Sequence, residues 1–537
     1  MANQKLCLKK RRHRLIIAFE MIRFDRESAE PLHQQLYRQI RDELKSGSFT
    51  DGATRLPSSR SLAVDLGISR LTVKLAFSKL HAEGYLRSKP RSGTFVADPL
   101  PETFLNAAKP TAAPAIKRPV RISDRVRAIP DIRVGKQFDV GALNAGPGAS
   151  LVPSTPAIDE FPIGIWERLR AQVLAKKGAH LLRHASNRGD ADLRKAIAAY
   201  VCDSRGARCH ADQVVIVGGR QQALLVSTMA LLNPDEPAWI EDPGFHQARR
   251  VFTFAGARLV PKPVDHEGIV IARSPREPLP KLIYITPSQQ FPLGMTMSFE
   301  RRIVLLDFAR THDTFIFEDD YDAELRFAGP PLPCLQGLDN SGHVIYAGTM
   351  SKILYPSLRL GYIVAPERLV DWLAKVRSTM DQHSPAVDQA TLARFITEGF
   401  FLSHIRRMRK IYAERRDFFV EQFNKLLGDC FTLQVPEGGL NVVAWLKREE
   451  DFPMISRVIL EIGVKPSPLS FYCIQAKPKP AFVFGFAAWT PAQIRESLIK
   501  LASSLQRRCE LEEKVKLSKS RKKSRLKMKS SDRYEQA

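Results

Sequence analysis

The chemistry written in this sequence gathers round one lysine. Lys352 stands in Thr349-Met350-Ser351-Lys352, with Arg359 seven residues further on, so a primary amine sits among hydroxyls and a guanidinium. That setting suits attack on an aldehyde held by its phosphate, and a Schiff base with pyridoxal phosphate is the reaction expected of it. Three more segments supply what such chemistry needs. Glu318-Asp319-Asp320-Tyr321 ends an apolar burst with acids and a phenol. A carboxylate there can keep the pyridine nitrogen protonated, and the phenol can bond the ring 3′-oxygen. Val217-Gly218-Gly219-Arg220-Gln221-Gln222 closes another burst with glycines ahead of a helix-length segment, whose first N–H groups can bind the phosphate. Glu241-Asp242-Pro243-Gly244-Phe245 presents an aromatic ring that can stack on the cofactor. Singly, each has a plainer reading: a surface Ser-Lys pair, a solvated strand end, a tight turn, a core phenylalanine. Their order favours the joint one, because open α/β sheets bind ligands at the ends of successive strands.

A different chemistry stands near the N-terminus. Ser69-Arg70-Leu71-Thr72-Val73-Lys74 opens a helix with cations and hydroxyls, the composition needed where a helix meets base edges and phosphates. Arg70 can fork onto a guanine or a phosphate, Thr72 can bond a phosphate, and Lys74 lies one turn further along. Arg60, on the helix before, can clamp the backbone. Taken one at a time, these charges also fit an ordinary solvated helix.

The elements that must position these groups follow from spacing. Leu32, Leu36, Ile40 and Leu44 recur every four residues and stop at Gly47, which predicts one amphipathic helix. Ser58 can cap a short helix running to Leu66 and closed by Gly67. Ser69 can cap a third, with Val73, Ala76, Phe77 and Leu80 as its apolar stripe. Residues 83–87 and 93–96 then read as a hairpin tipped by Lys89-Pro90-Arg91-Ser92. A winged helix-turn-helix over residues 21–98 is the expectation. Residues 99–140, with Pro99, Pro101, Pro110, Pro114, Pro119 and Pro130, read as a proline-stiffened linker. Beyond Gly141 the apolar bursts at 214–217, 238–240, 282–285, 314–317 and 344–346 alternate with helix-length segments, as in a parallel sheet covered on both faces.

Composition agrees with a large globular chain. Of 537 residues, 44% are apolar and 26% charged, which excludes a disordered polymer and predicts several core-bearing units. Lys and Arg outnumber Asp and Glu 82 to 57, for a formal charge of +25. More than half of that excess sits at the ends. Residues 1–20 form a basic extension, after which Met21 can be the true start, and residues 508–537 form a basic tail expected to be disordered. Both ends can add phosphate contacts or be solvated and idle. The net charge favours a polyanionic partner. The longest apolar run, about nine residues at 481–489, falls short of the ~18 needed to cross a bilayer, so no membrane span is expected. Seven scattered cysteines without a C-x-x-C suggest neither a disulfide framework nor a metal site, and a cytoplasmic location.

The N-terminal stretch resembles the GntR-family winged helix through Leu56-Pro57-Ser58-Ser59-Arg60, Leu62-Ala63, Leu66-Gly67-Ile68-Ser69-Arg70, Thr72-Val73, Glu83-Gly84-Tyr85-Leu86 and Ser92-Gly93-Thr94-Phe95-Val96. In that family the wing tip reaches the minor groove, a role that falls here on Arg91 and Gly93. Residues 24–505 as a whole resemble the MocR subfamily of GntR regulators. The match includes Glu241-Asp242-Pro243-Gly244, Thr286-Pro287-Ser288, the acidic run from Glu318 to Asp322, Gly348-Thr349 with Ser351-Lys352, Leu358-Arg359, and His404-Ile405-Arg406-Arg407-Met408-Arg409. The resemblance implies a fold-type I aminotransferase-like α/β domain with large and small subdomains over 141–507, behind the winged helix. It makes Lys352 the lysine that condenses with pyridoxal phosphate, with Asp319 at the pyridine nitrogen and Tyr321 at the 3′-oxygen. Phe245 becomes the stacking ring, and Ser351 and Arg359 hold the phosphate with the Gly219-Arg220-Gln221 turn. It also implies a homodimer with the helix domain swapped, bound to a double-stranded operator.

Two departures narrow the expectation. Where the family has a tyrosine that reaches the neighbouring subunit's phosphate, this chain has His184, which can donate the same bond or be a plain interface histidine. Aminotransferases of amino acids fork the substrate carboxylate with an arginine near the last core strand, and Phe482-Val483-Phe484-Gly485-Phe486-Ala487-Ala488-Trp489 holds none. The expected function is therefore a transcriptional regulator that senses pyridoxal phosphate, or an amine or amino-acid-like effector, through Lys352. The alternatives are a working aminotransferase with a DNA tether, and a cofactor fold kept only as a scaffold.

Overall fold

The structure is a computed structural model. It describes residues 22–45, 54–89, 92–98, 100, 122–130, 133–134, 138–139, 150–327, 333–508 and 510. The basic extension, most of the linker, Gly47, Arg91 and nearly all of the basic tail lie outside the described residues. The chain divides into two compact units at Arg121.

In the N-terminal unit, helices α1 (Leu32–Lys45), α2 (Ser59–Asp65) and α3 (Arg70–Ala82) precede strands β1 (Leu86–Lys89) and β2 (Gly93–Val96). The four-residue spacing buries Leu36, Ile40 and Leu44 against Leu62, Val73, Ala76, Phe77 and Leu80. Each large apolar side chain removed from water contributes about 1.5–3 kcal/mol. Ser58 and Ser69 cap their helices by accepting from the N–H groups of Ser61 and Thr72, both at 3.1 Å. The first wing strand starts later than its composition predicts. Glu83 ends α3, and Gly84, at φ +81°, turns the chain. The hairpin then pairs Leu86 with Val96 in antiparallel register.

The C-terminal unit is built on eight strands: β3 (Val214–Val217), β4 (Pro237–Asp242), β5 (Arg258–Asp265), β6 (Gly268–Ile269), β7 (Leu282–Ile285), β8 (Phe315–Asp320), β9 (Val344–Thr349) and β10 (Gly361–Val364). Their order is β3-β10-β9-β8-β7-β4-β5-β6. The central run from β9 to β5 is parallel, while β10 is antiparallel to both β9 and β3. The parallel sheet expected from the bursts is thus a mixed one. The reason is local: β9 returns into β10 through a connection of only eleven residues, 350–360, rather than through a crossover helix. Helices including α4 (Ile163–Lys177), α5 (Ala191–Arg205), α6 (Arg220–Leu231) and α7 (His246–Ala255) accompany this sheet. Because β3, β7 and β9 are buried along their whole length, they read as continuous apolar runs.

A smaller layer follows. The 28-residue helix α8 (Phe400–Leu427) leads into an antiparallel sheet of β11 (Phe431–Gln434), β12 (Asn441–Leu446), β13 (Ser467–Pro468) and β14 (Ala481–Gly485). Met408, Phe419 and Phe423 of α8 pack with Phe482 and Phe484 of β14 in one core. Among the described residues, no helix is long and apolar enough to cross a membrane.

Candidate functional site

The parallel strands end in a buried cluster of acids, phenols and one lysine. Period-two alternation along β8 separates three neighbouring carboxylates. Glu318 accepts from the Leu335 and Gln336 N–H groups at 2.9 and 3.0 Å, and Asp320 accepts from Arg205 Nε at 2.8 Å and the Tyr346 hydroxyl at 2.7 Å. Asp319, between them, accepts a 2.5 Å bond from the Tyr284 hydroxyl of β7 and faces Arg220. Its other oxygen, Oδ1, is buried without a partner. Burial raises the Asp319 carboxyl to about 6, with Arg220 and the Tyr284 bond pulling the other way.

Lys352 lies just past β9, with its amine buried. Nζ donates a 2.5 Å bond to the Ser154 carbonyl, 198 residues away in sequence. Asn441 of β12 accepts from the Ser154 N–H at 2.6 Å and donates to its hydroxyl at 3.1 Å, so the smaller layer orients the group that orients the lysine. Burial lowers the lysine to about 7, helped by the Arg220 charge and opposed by Asp322 and Asp319. An amine at that value is half neutral at neutrality and ready to attack a carbonyl.

The glycine turn expected to bind phosphate follows β3. Gly219 has φ +104°, in the region that favours glycine, and Gly361 has no room for a side chain, since a Cβ there would lie 2.9 Å from Gly219 Cα. Arg359 reaches the same turn: a Cβ on Gly219 would meet its Nη1 at 3.6 Å. Gly218 donates to Gln222 Oε1 at 2.5 Å, and α6 begins at Arg220, with the exposed Gln221 next. Ser351 N donates to the Thr349 hydroxyl at 3.3 Å. Phe245 and Tyr321 are buried, and the Phe291 ring stands edge-on to both, at 5.5 and 5.8 Å between centroids. Burial holds the Tyr321 hydroxyl well above its ordinary range, in its neutral, donating form. His184 is exposed, with its ring 6.0 Å from that of His383, and is not part of this cluster within one chain.

These residues fit a pyridine ring with a phosphate. The unpartnered Asp319 oxygen, the flanking aromatic faces and the glycine turn at a helix N-terminus are the complementary groups. Sequence reasoning missed four participants. Tyr284 sits within an apolar burst where only its hydroxyl betrays a polar task. Ser154 and Asn441 carry no local signal, because their partners are distant in sequence. Asp322 is buried with both carboxylate oxygens unpartnered, beside the Gly439 backbone, where a Cβ would come within 2.8 Å of Oδ2.

On the N-terminal unit, Arg60 is exposed near the start of α2, while at or near the start of α3 Ser69, Arg70 and Lys74 are exposed and Thr72 is half-buried. The Thr72 hydroxyl lies 2.8 Å from that of Ser69, so part of its bonding capacity serves the cap. Gly93 opens β2 at φ +111°, and a Cβ there would strike Arg55 at 2.8 Å. Leu71 and Leu75 were not singled out by the spacing. They fall off the buried stripe of α3 and are 65% and 46% exposed beside the cations.

Comparison with known proteins agrees with both halves. The aminotransferase class I and II family pattern matches residues 162–500, and that of the bacterial regulatory proteins of the gntR family matches residues 32–96. The probable rhizopine catabolism regulatory protein MocR of Rhizobium meliloti is 38% identical over 489 residues, 90% of this chain and 96% of its own. The pyridoxine biosynthesis transcriptional regulator PdxR of Corynebacterium glutamicum is 29% identical over 475 residues, 88% of this chain and 95% of its own. Among solved structures, a multiple substrate aminotransferase from Thermococcus profundus superimposes with a TM-score of 0.63 at 25% identity, over 72% of this chain and 98% of that one. Similarity of this depth, running through both halves at once, leaves one conclusion: the chain belongs to the MocR-type group of GntR helix-turn-helix transcriptional regulators.

Proposed function

We propose that the chain regulates transcription in response to pyridoxal phosphate, or to an amine or amino-acid-like ligand of that coenzyme, held in the cluster around Lys352. One observation carries this reading. Asp319 is buried at the strand ends with a free carboxylate oxygen, and the half-buried Lys352 turns its amine toward it, desolvated enough to be lowered to about 7. A structural lysine would be expected at the surface or in an ion pair. When bound, the coenzyme supplies an electrophilic carbonyl and an electron sink. Asp319 holds the proton at the ring nitrogen, with Tyr284 fixing the carboxylate. Tyr321 donates to the ring oxygen, Phe245 covers a ring face, and Gly219, Arg359 and Ser351 bind the phosphate. Lys352 presents a neutral amine, aimed by Ser154.

The protein works as a homodimer in the cytoplasm, with His184 offered to the neighbouring subunit. Two winged helices then read half-sites of a double-stranded operator, and the ligand shifts the balance between dimer arrangements. Arg70 reads a base or phosphate, Arg60, Thr72 and Lys74 hold the backbone, and the wing around Arg91 and Gly93 enters the minor groove. The exposed Leu71 suits a thymine methyl. Steady transamination is a poorer fit, because β14 is filled by buried Phe482, Val483 and Phe484 and offers no guanidinium to a carboxylate. The test is spectroscopic. Added pyridoxal phosphate should give the purified protein a visible absorbance band that Lys352→Ala abolishes, together with any effect of the coenzyme on operator binding. A band that survives the substitution overturns the assignment.

A further inference from the structure

Arg220 carries a charge that this coenzyme reading leaves unused. A helix N-terminus binds phosphate through backbone N–H groups, so at the first position of α6 only the Arg220 main chain is called for. Its side chain nonetheless turns inward and is 14% exposed. The guanidinium carbon lies 3.7 Å from the centroid of the Phe245 ring and 5.2 Å from that of Tyr321. Its Nη1, itself buried and without a hydrogen-bond partner, stands 3.6 Å from Asp319 Oδ2, the oxygen that already accepts from Tyr284.

Those neighbours are the groups assigned to the coenzyme ring. A protonated pyridine and a guanidinium are both flat, delocalised cations with N–H donors at the edge, and both are attracted to an aromatic face and a carboxylate. The likeness is loose. At 3.6 Å the contact with Asp319 is longer than a hydrogen bond, so Arg220 offsets the buried charge without closing the bond that a ring nitrogen would make. The arrangement therefore suits a group that can be displaced.

We infer that Arg220 competes with the coenzyme ring for the slot between Phe245 and Asp319 and so sets the coenzyme concentration at which the pocket fills. The inference rests on the reading of this cluster as a pyridoxal phosphate site. A ligand that must displace a resident side chain binds more weakly by the fraction of time the slot stands open. In a sensor, that penalty keeps occupancy responsive to free coenzyme.

The test uses the full-length protein and pyridoxamine phosphate, which has the same ring and phosphate but no aldehyde, so its affinity reports the slot without Lys352 chemistry. By calorimetric titration, Arg220→Ala should bind it about tenfold tighter, equivalent to about 1.4 kcal/mol. Arg220→Lys, which keeps the charge but loses the flat stack, should fall between Arg220→Ala and the unsubstituted protein, and it carries the test alone if the alanine variant does not fold. A merely structural role would loosen binding instead. Unchanged or weaker affinity in both variants overturns the competition. The two failures are distinguishable. If pyridoxal phosphate colours neither the unsubstituted protein nor the variants, the coenzyme reading itself falls. If it colours the unsubstituted protein while Arg220→Ala is no tighter for pyridoxamine phosphate, only the competition does.

Discussion

The winged helix and the aminotransferase-like layer place their charges in opposite settings. Arg60, Arg70 and Lys74 stand in solvent on a small domain whose core is apolar apart from the hydrogen-bonded Gln35. Glu241, Glu318, Asp319 and Asp322 are withdrawn from water at the ends of a sheet, with the amine of the half-buried Lys352 beside Asp319 and Asp322. Exposed cations act nearly independently, are screened by salt and can be removed without harm to the fold. Buried ones depend on each other. Burial raises Glu241 to about 7 and Asp319 to about 6, while it lowers Lys352 to about 7, and Asp319 acts on both neighbours, so these protons respond to one another and to anything that enters. A surface of the first kind suits a long polyanion; a cluster of the second kind suits a small ligand with charges of its own.

The sharpest way to break the contrast is Lys352→Ala, which should remove the visible band completely while leaving operator affinity without coenzyme unchanged. Loss of DNA binding in that variant would tie the two regions together more closely than the contrast allows. Asp319→Asn should come next. Breaking a buried charge pair costs about 3–5 kcal/mol, so coenzyme affinity measured by titration should fall by roughly a hundredfold or more. Arg70→Ala should weaken specific operator binding by about 1–3 kcal/mol in gel-shift assays if it reads a base. An equal loss on random duplex would make it a backbone contact.

The buried setting also predicts a pH dependence that an exposed lysine would lack. Because the amine of Lys352 is lowered to about 7, the rate of pyridoxal phosphate binding should climb as pH approaches about 7 and then level off. Stopped-flow absorbance between pH 6 and 9 checks this, and a rate still climbing at the upper end would indicate a lysine near its ordinary 10.5. The folded value lies below the unfolded one, so the unfolded chain binds the extra proton between them. The penalty from this group is full below about 7 and fades as pH rises toward 10.5. The smallest expected effect is in the other region. Ser69→Ala removes one cap bond to the Thr72 N–H and should cost about 1 kcal/mol in a denaturant titration of the winged helix.

Legibility differs between the regions for the same reason. In the winged helix, caps and stripes are local, so Ser58, Ser69 and the four-residue spacing from Leu32 predict helices that the structure contains to within a residue or two. Strand bursts in the larger unit were equally plain, since β3 and β7 occupy the residues expected. Their directions were not, because the antiparallel insertion of β10 depends on how one loop turns rather than on any residue pattern. In the pocket, the segments were visible but not the division of labour within them.

What the amino-acid order determined by itself was the inventory: which segments are helices and strands, where the caps fall, and that a lysine, acids, aromatics and glycines end successive strands. Those are short-range properties, set by propensity, periodicity and hydrogen bonds between near neighbours. Only the tertiary structure decided which of three adjacent acids faces the pocket, that Ser154 and Asn441 aim the lysine, and that Arg220 turns inward over Phe245. Each of those depends on groups brought together from distant parts of the chain, where burial multiplies the energy of every charge and makes one side chain's position the condition for another's.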